Sequence, residues 1–257
     1  MEMPRNSFKH RLLAGEQLIG LWVSSVSPLL SEMLSLVGYD WMLFDTEHAP
    51  VDVAGVMPLL QAAAVGGSAS VVRPAWNDKV LIKRHLDQGA QTLLVPFVET
   101  AEEAEAAVRA MHYPPSGIRG VAGSTRASRF GLATDYLRQA NDEVCLLVQV
   151  ETGAALGQLE EIAAVPHVDG VFIGPSDLAA SLGHLGNPGH AEVQAALQDA
   201  LARLKAVGKP AGILATNQAD AQRYLDWGFG FVAASVDTGL LMGAARALLS
   251  KLRKGEA

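Results

Sequence analysis

The sequence predicts one closed parallel α/β barrel, a (β/α)8 or TIM barrel, that spans all 257 residues as a single domain. Short apolar runs rich in Val, Leu, Ile and Phe recur along the chain, and longer segments with helical periodicity separate them. This alternation is typical of parallel strands joined by helices, and the chain length is usual for a single barrel.

The predicted strands are apolar on both faces, as expected of strands that helices cover on one side. They comprise residues 18–23, 41–45, 70–73, 92–98, 144–151, 170–174, 211–215 and 229–236. The predicted helices comprise residues 28–37, 53–65, 79–87, 101–111, 154–163, 191–207, 218–227 and 240–252. Several of them end near a glycine, which readily forms the left-handed turn that terminates a helix: Gly38, Gly66, Gly89, Gly208 and Gly228.

The fourth connection, residues 99–143, is longer and less regular than the others, and its centre is rich in Gly, Ser and Arg. A segment of this kind is either a lid over a site or a surface excursion. Its arginines could bind an acidic ligand, line a subunit contact or remain solvated: Arg119, Arg126 and Arg129.

Composition excludes several classes of function. The formal net charge is −7 and the basic residues are scattered, so we expect no nucleic-acid partner. Apolar runs are too short to cross a membrane, residues 1–11 lack a secretory signal, and the lone Cys145 is expected to fill the core. These features predict a cytoplasmic protein that acts on small molecules.

The carboxyl ends of the predicted strands are unusually polar. Active sites of such barrels lie at these ends, and buried carboxylates are costly unless they are paired or hold a metal. The second strand ends within FDTEH and the third within VVRP, while the fifth ends within QVET and the sixth leads into GPSD. The residues of interest there are Trp22, Asp45, Glu47, His48, Arg73, Gln149, Glu151, Gly174, Ser176, Asp177 and Asp237.

Glu151 and Asp177 follow neighbouring strands, so their oxygens could share one ion. Hard cations such as Mg²⁺ and Mn²⁺ prefer oxygen ligands and leave positions open for substrate. The alternative is that each carboxylate caps the helix after it. His48 could act as a base near neutral pH or be structural, and Arg73 could hold an anion or pair with Asp45 or Glu47.

Two features that the sequence lacks exclude some classes of reaction. All lysines map to helices, helix ends or termini, which disfavours a Schiff base inside the barrel: Lys9, Lys79, Lys83, Lys205, Lys209, Lys251 and Lys254. The P-loop and GxGxxG patterns are also absent, so no nucleotide is implied.

From about Ser7 to the last helix, the chain closely resembles the HpcH/HpaI class II pyruvate aldolases. The resemblance rests on eight motifs in the right order: GLWV, FDTEHAP, VVRPAWND, TLLVPFVETAEEA, YPPSGIRGV, LVQVET, GVFIGPSDLAASLG and GILATN. The resemblance implies a phosphoenolpyruvate/pyruvate-domain-like barrel. It also implies cleavage of 4-hydroxy-2-oxo acids, such as 4-hydroxy-2-oxoheptanedioate or 2-keto-3-deoxy sugar acids, to pyruvate and an aldehyde.

Residue roles follow from the same resemblance. It implies that Glu151 and Asp177 bind Mg²⁺, Mn²⁺ or Co²⁺, that Arg73 binds substrate, and that His48 is the base, assisted by Asp87. The backbone amides of Ser176 and Asp177, after Gly174, would bind the substrate carboxylate. We expect Gln149 to support the ligands, Trp22 and Leu214 to shape the aldehyde side, and Asp45 and Glu47 to hold the catalytic groups in place.

The resemblance further implies a homo-oligomer, a hexamer whose C-terminal helices are exchanged between subunits. Rival functions are a citramalyl-CoA or malyl-CoA lyase, another metal-enolate enzyme that handles phosphoenolpyruvate, and a barrel that binds an oxo acid without turnover. The physiological aldehyde, the preferred ion and the choice between pyruvate and hydroxypyruvate as nucleophile stay open.

Overall fold

The computed structural model describes residues 1–254, and its strands form a closed parallel barrel in sequence order. The eighth strand pairs with the first, which closes the barrel. This architecture confirms the predicted (β/α)8 fold. The strands are β1(Leu18–Val23), β2(Trp41–Asp45), β3(Ala69–Arg73), β4(Thr92–Val95), β5(Cys145–Val150), β6(Val168–Ile173), β7(Ala211–Leu214) and β8(Phe231–Val236).

Helices surround the barrel and lie between consecutive strands, with additional short helices at the start of the chain and in three of the connections. None of the helices within residues 1–254 is both long and apolar enough to span a membrane. The helices are α1(Ser7–Leu13), α2(Pro28–Ser35), α3(Val53–Ala63), α4(Lys79–Asp87), α5(Ala101–Met111), α6(Tyr136–Glu143), α7(Gly153–Gly157), α8(Leu159–Ala164), α9(Pro175–Ser181), α10(Ala191–Ala206), α11(Gln218–Trp227) and α12(Asp237–Lys254).

The structure differs from prediction at several element ends and contains three helices that were not predicted, α1, α6 and α9. β4 stops at Val95 because Pro96 has no N–H to donate and Phe97 adopts a left-handed conformation, with φ of 49°. The predicted helix over residues 154–163 is divided into α7 and α8. The last helix begins at Asp237, earlier than predicted, so it starts directly at the end of β8.

Large side chains fill the barrel interior. Phe8 from α1 lies edge-on against Trp41 and Phe231, which come from the starts of β2 and β8. Glycine at position 212 leaves room for the Phe231 ring, which the Cβ of any other residue would overlap. α1 therefore closes the amino-terminal end of the barrel, and the opposite end remains available for a site.

The centre of the long fourth connection packs at this same amino-terminal end, not over the carboxyl ends of the strands in its own chain. The backbone N–H of Ala127 donates to the carbonyl of Asp87, where α4 ends, and Arg126 Nη1 donates to the carbonyl of Gln88. Arg119 is buried and lies over the Tyr113 ring, with 4.4 Å from its Cζ to the ring centroid. A solvated position is therefore wrong for Arg119.

Candidate active site

A cavity of about 220 Å³ opens at the carboxyl ends of the strands, where the sequence predicted the site. It brings together residues from the barrel strands and the connections that follow them. Its lining comprises Trp22, Ser24, Asp45, His48, Arg73, Gln149, Phe172, Gly174, Pro175, Ser176, Asp177, Leu214 and Val236. Glu47 and Glu151 contact members of this set, as described below.

Arg73, at the end of β3, is held by Asp45 at the end of β2. Its Nε donates to Asp45 Oδ1 at 2.9 Å and its Nη2 to Oδ2 at 2.7 Å, a fork that fixes the plane of the guanidinium. The guanidinium also lies over the indole of Trp22, whose Nε1 donates to Asp45 Oδ2. Burial opposes ionisation of Asp45, but its bonds from Arg73, Glu47 N–H and Trp22 lower its pKa overall.

Glu47 forms the second ion pair of Arg73, with Nη1 lying 2.8 Å from Oε2. Both pairings that the sequence offered for Arg73 are therefore present, and the guanidinium is bound on two sides. Burial raises the pKa of Glu47; the charges of Arg73 and His48 oppose this rise, and those of Asp45 and Asp177 add to it. One guanidinium thus compensates only part of the negative charge around it.

Glu151 follows β5 directly and is 1% exposed. Gln149 Nε2 donates to its Oε2 at 2.5 Å, and the backbone N–H of Phe97 donates to its Oε1 at 3.0 Å. Burial raises the pKa of Glu151 to about 7, and the charges of Asp177 and Glu47 add to the effect of burial. Its two neutral donors orient the carboxylate without neutralising it.

Asp177 lies in the first turn of α9, immediately after the end of β6. Gly174 occupies the N-cap position, and no side chain in the described part of the chain caps this helix. The alternative that Asp177 caps this helix is therefore wrong. Asp177 lines the cavity instead.

His48 lies at the mouth of the cavity with its side chain 67% exposed, and its Nε2 is 3.8 Å from Glu47 Oε1. The partnership of His48 with Asp87 is not formed within this chain. Asp87 ends α4 at the amino-terminal side of the barrel, where its Oδ1 accepts from Arg119 Nη2 at 2.8 Å. The helix direction separates the two residues, because α4 starts near the site and runs away from it.

Sequence reasoning missed the Phe97 backbone amide and three residues that line the cavity, Ser24, Phe172 and Val236. The Phe97 amide reaches Glu151 only because its residue adopts a left-handed conformation after Pro96, and the VPF sequence at a strand end was the available signal. Asp237 has a structural role, because its carboxylate accepts hydrogen bonds from the backbone N–H groups of Ser24 and Ser25. These bonds hold the loop after β1 in place.

The charge balance and donor types of the cavity fit a divalent cation. The site holds the guanidinium of Arg73 and four carboxylates, those of Asp45, Glu47, Glu151 and Asp177. Burial and the repulsion between carboxylates raise the pKa of both Glu47 and Glu151. Glu151 and Asp177 supply oxygen donors without a basic partner of their own among the described residues. Such an oxygen-only set suits hard ions of the Mg²⁺ and Mn²⁺ type.

Comparisons with known proteins agree with this architecture. A family model described as HpcH/HpaI aldolase/citrate lyase matches residues 18–244. Pyruvate aldolase from Rhizobium etli is 55% identical, with 98% of this chain and 99% of that protein covered. Hydroxypyruvate/pyruvate aldolase from Sagittula stellata is 53% identical, with 96% and 98% covered.

A third relative, 4-hydroxy-2-oxo-heptane-1,7-dioate aldolase from Klebsiella pneumoniae, is 54% identical, with 96% of this chain and 93% of that protein covered. The crystal structure of an HpcH/HpaI aldolase/citrate lyase family protein from Burkholderia cenocepacia superposes with a TM-score of 0.94 at 44% identity, covering 96% of this chain and 99% of that one. The chain therefore belongs to the HpcH/HpaI aldolase/citrate lyase family.

Proposed function

We propose that the chain is a divalent-metal-dependent aldolase, a carbon–carbon lyase that reversibly cleaves 4-hydroxy-2-oxo acids to pyruvate and an aldehyde. The observation that carries the proposal is the convergence of Glu151, Asp177, Arg73 and His48 at one cavity. The names of relatives at 53–55% identity over nearly the whole chain support the same reaction.

In the cleavage direction, His48 takes the proton of the 4-hydroxyl group of the substrate. The C3–C4 bond then breaks, C4 leaves as the aldehyde, and the electron pair stays on the enolate of pyruvate. A proton returned to C3 completes the reaction. The exposed imidazole suits this task because it remains free to exchange protons with solvent between turnovers.

Arg73 stabilises the enolate, because its guanidinium is fixed in place before the negative charge develops on the substrate oxygen. The uncapped first turn of α9, at Ser176 and Asp177, offers backbone amides to the substrate carboxylate. Trp22 and Leu214 border the cavity beside these groups and shape the aldehyde side.

Glu151 and Asp177 would hold the ion, which we propose to be Mg²⁺, Mn²⁺ or Co²⁺. When bound, it supplies positive charge that lowers the energy of the enolate. Gln149 and the Phe97 amide keep the Glu151 carboxylate in the orientation needed for binding. We propose that no nucleotide and no Schiff-base lysine takes part.

The test is release of pyruvate from 4-hydroxy-2-oxoheptanedioate, measured with and without chelator and with each ion restored in turn. We expect activity to disappear with chelator and in Glu151→Gln. Glu160→Gln is the matched control because Glu160 pairs with Arg203 on the surface, away from the cavity. Wild-type turnover in Glu151→Gln or in His48→Ala would contradict the proposal, and binding of pyruvate without turnover would favour a non-catalytic barrel.

We also propose that the chain acts in the cytoplasm as a hexamer with exchanged C-terminal helices. The support is the apolar surface that α12 leaves exposed in the single chain. This surface comprises Leu240, Leu241, Met242, Leu248, Leu249 and Leu252. Parallel assays with hydroxypyruvate, several aldehydes and citramalyl-CoA would identify the nucleophile and the acceptor.

A further inference from the structure

Two histidines and a glutamate meet on the surface where the connection from α9 reaches α10. His184 Nε2 lies 2.8 Å from Glu192 Oε2. The rings of His184 and His190 are stacked, with centroids 3.6 Å apart and an angle of 18° between their planes. One ligand atom from each of the three side chains lies within 4.8 Å of the other two.

The backbone holds these side chains in place. The N–H of His184 donates to the carbonyl of Ala179 at 2.7 Å, and the N–H of Asn187 donates to the carbonyl of His184 at 2.9 Å. His190 is the N-cap of α10, and Glu192 lies in the first turn of that helix. The three groups therefore belong to a well-bonded turn and a helix start, so little rearrangement is needed to bring them around one ion.

The donor set differs in chemistry from that of the active site. Two imidazoles and a carboxylate suit borderline ions such as Zn²⁺, Ni²⁺ and Cu²⁺, whereas the cavity offers oxygen donors that suit Mg²⁺ or Mn²⁺.

We propose that His184, His190 and Glu192 form a second metal site, separate from the catalytic cavity, that binds Zn²⁺ or a similar borderline ion. The ion would replace any proton held between His184 and Glu192. If His190 binds through Nδ1, it also gives up the 3.3 Å hydrogen bond that it accepts from the Glu192 N–H. This bond is long, and its loss removes only one weak helix cap.

The site adjoins the active site along the chain. Pro188 and Gly189, in the same connection, line a small cavity of about 40 Å³ together with Ser176 and Leu214. Ser176 and Leu214 also line the catalytic cavity. An ion at the proposed site would therefore restrict the motion of the connection between α9 and α10, which borders the aldehyde side of the catalytic cavity.

The test is calorimetric titration of the full-length protein with Zn²⁺ at saturating Mg²⁺, in a Glu151→Gln/Asp177→Asn background that removes the catalytic ligands. We expect one Zn²⁺ per chain. Adding His184→Gln and His190→Asn should weaken Zn²⁺ binding by at least about 10-fold. Loss of a residue that only hydrogen-bonds to a metal ligand typically weakens metal binding by about 10- to 100-fold, and these substitutions remove two ligands themselves. Asn is chosen at position 190 because it preserves the helix cap.

His10→Gln is the matched control, because His10 also pairs with a glutamate, Glu143, at 3.1 Å on the surface but belongs to no described group of three ligands. Its Zn²⁺ affinity should equal that of the parent protein. Unchanged Zn²⁺ binding in the His184→Gln/His190→Asn protein would overturn the proposal, as would a Cu²⁺ electron paramagnetic resonance spectrum without histidine nitrogen couplings. Neither result depends on whether the protein is an aldolase.

Discussion

Gly174 lies directly against Glu151: a Cβ added at position 174 would come within 2.5 Å of Glu151 Oε2 and 3.0 Å of Gln149 Nε2. The contact is too close for any side chain, and it occurs at the carboxylate that we assign to the metal. Gly174, directly after β6, therefore limits where the carboxylate of Glu151, directly after β5, can lie.

Gly174→Ala should weaken Mn²⁺ binding by roughly 10- to 100-fold, because Glu151 and its donor Gln149 must shift together. Binding is measured by titration of the metal-free protein. Gly157→Ala is the matched control, since a Cβ there would meet no atom of the described structure within 4 Å. Equal affinities in the two variants would show that the contact does not position the ligand.

Arg73→Lys should reduce kcat for pyruvate release by about 100- to 1,000-fold, the typical loss on removing one donor to a developing oxyanion. Lysine keeps the charge but lacks the planar fork that Asp45 holds. Arg11→Lys is the control because Arg11 forms a comparable pair with Asp40 in an exposed position. Retention of more than half of the wild-type kcat in Arg73→Lys would rule out this role.

His85 should make stability depend on pH. It is fully buried, and neither of its ring nitrogens has a hydrogen-bond partner within residues 1–254. Burial, with a smaller contribution from the charge of Arg84, lowers its pKa from 6.5 to about 4. Between these values the unfolded chain binds a proton that the folded chain does not, so stability falls as the pH is lowered through this window.

This effect amounts to at most about 3 kcal/mol, and His85→Leu should remove it. Urea unfolding at pH 7.5 and pH 5 measures the difference, with the variant losing less stability than the wild type on acidification. A slope in His85→Leu identical to that of the wild type would contradict the assignment.

Arg119→Met should lower the free energy of unfolding by about 2 to 3 kcal/mol, because the substitution breaks the buried ion pair with Asp87. This estimate lies at the low end of the losses seen for buried ion pairs, since Asp87 is partly exposed. The substitution also removes the contact over Tyr113 and the hydrogen bond to Tyr136 Oη. Urea midpoints of this variant and of Arg138→Met, which alters an exposed arginine of α6, provide the comparison. Equal midpoints would mean that the buried guanidinium contributes nothing to stability.

The sequence predicted the barrel because each of its eight strands carries its own local signal. Apolar runs such as those ending at Asp45 and Arg73 are complete within a few residues, and the fold then brings their carboxyl ends to one side. Most of the predicted site residues meet in one cavity for the same reason. Strand ends were less predictable, as the left-handed Phe97 after Pro96 illustrates.

The sequence alone determined the barrel fold, the family and the residue types at the strand ends. Strand periodicity and short motifs are local properties, so each can be recognised within a short segment. Only the tertiary structure decided that Arg119 is buried beside Asp87, that Asp87 lies far along α4 from the cavity, and that His184 stacks on His190. These contacts depend on where the connections fold back and on which side chains exclude water. Such information is distributed over residues distant in the chain, so no single segment contains it.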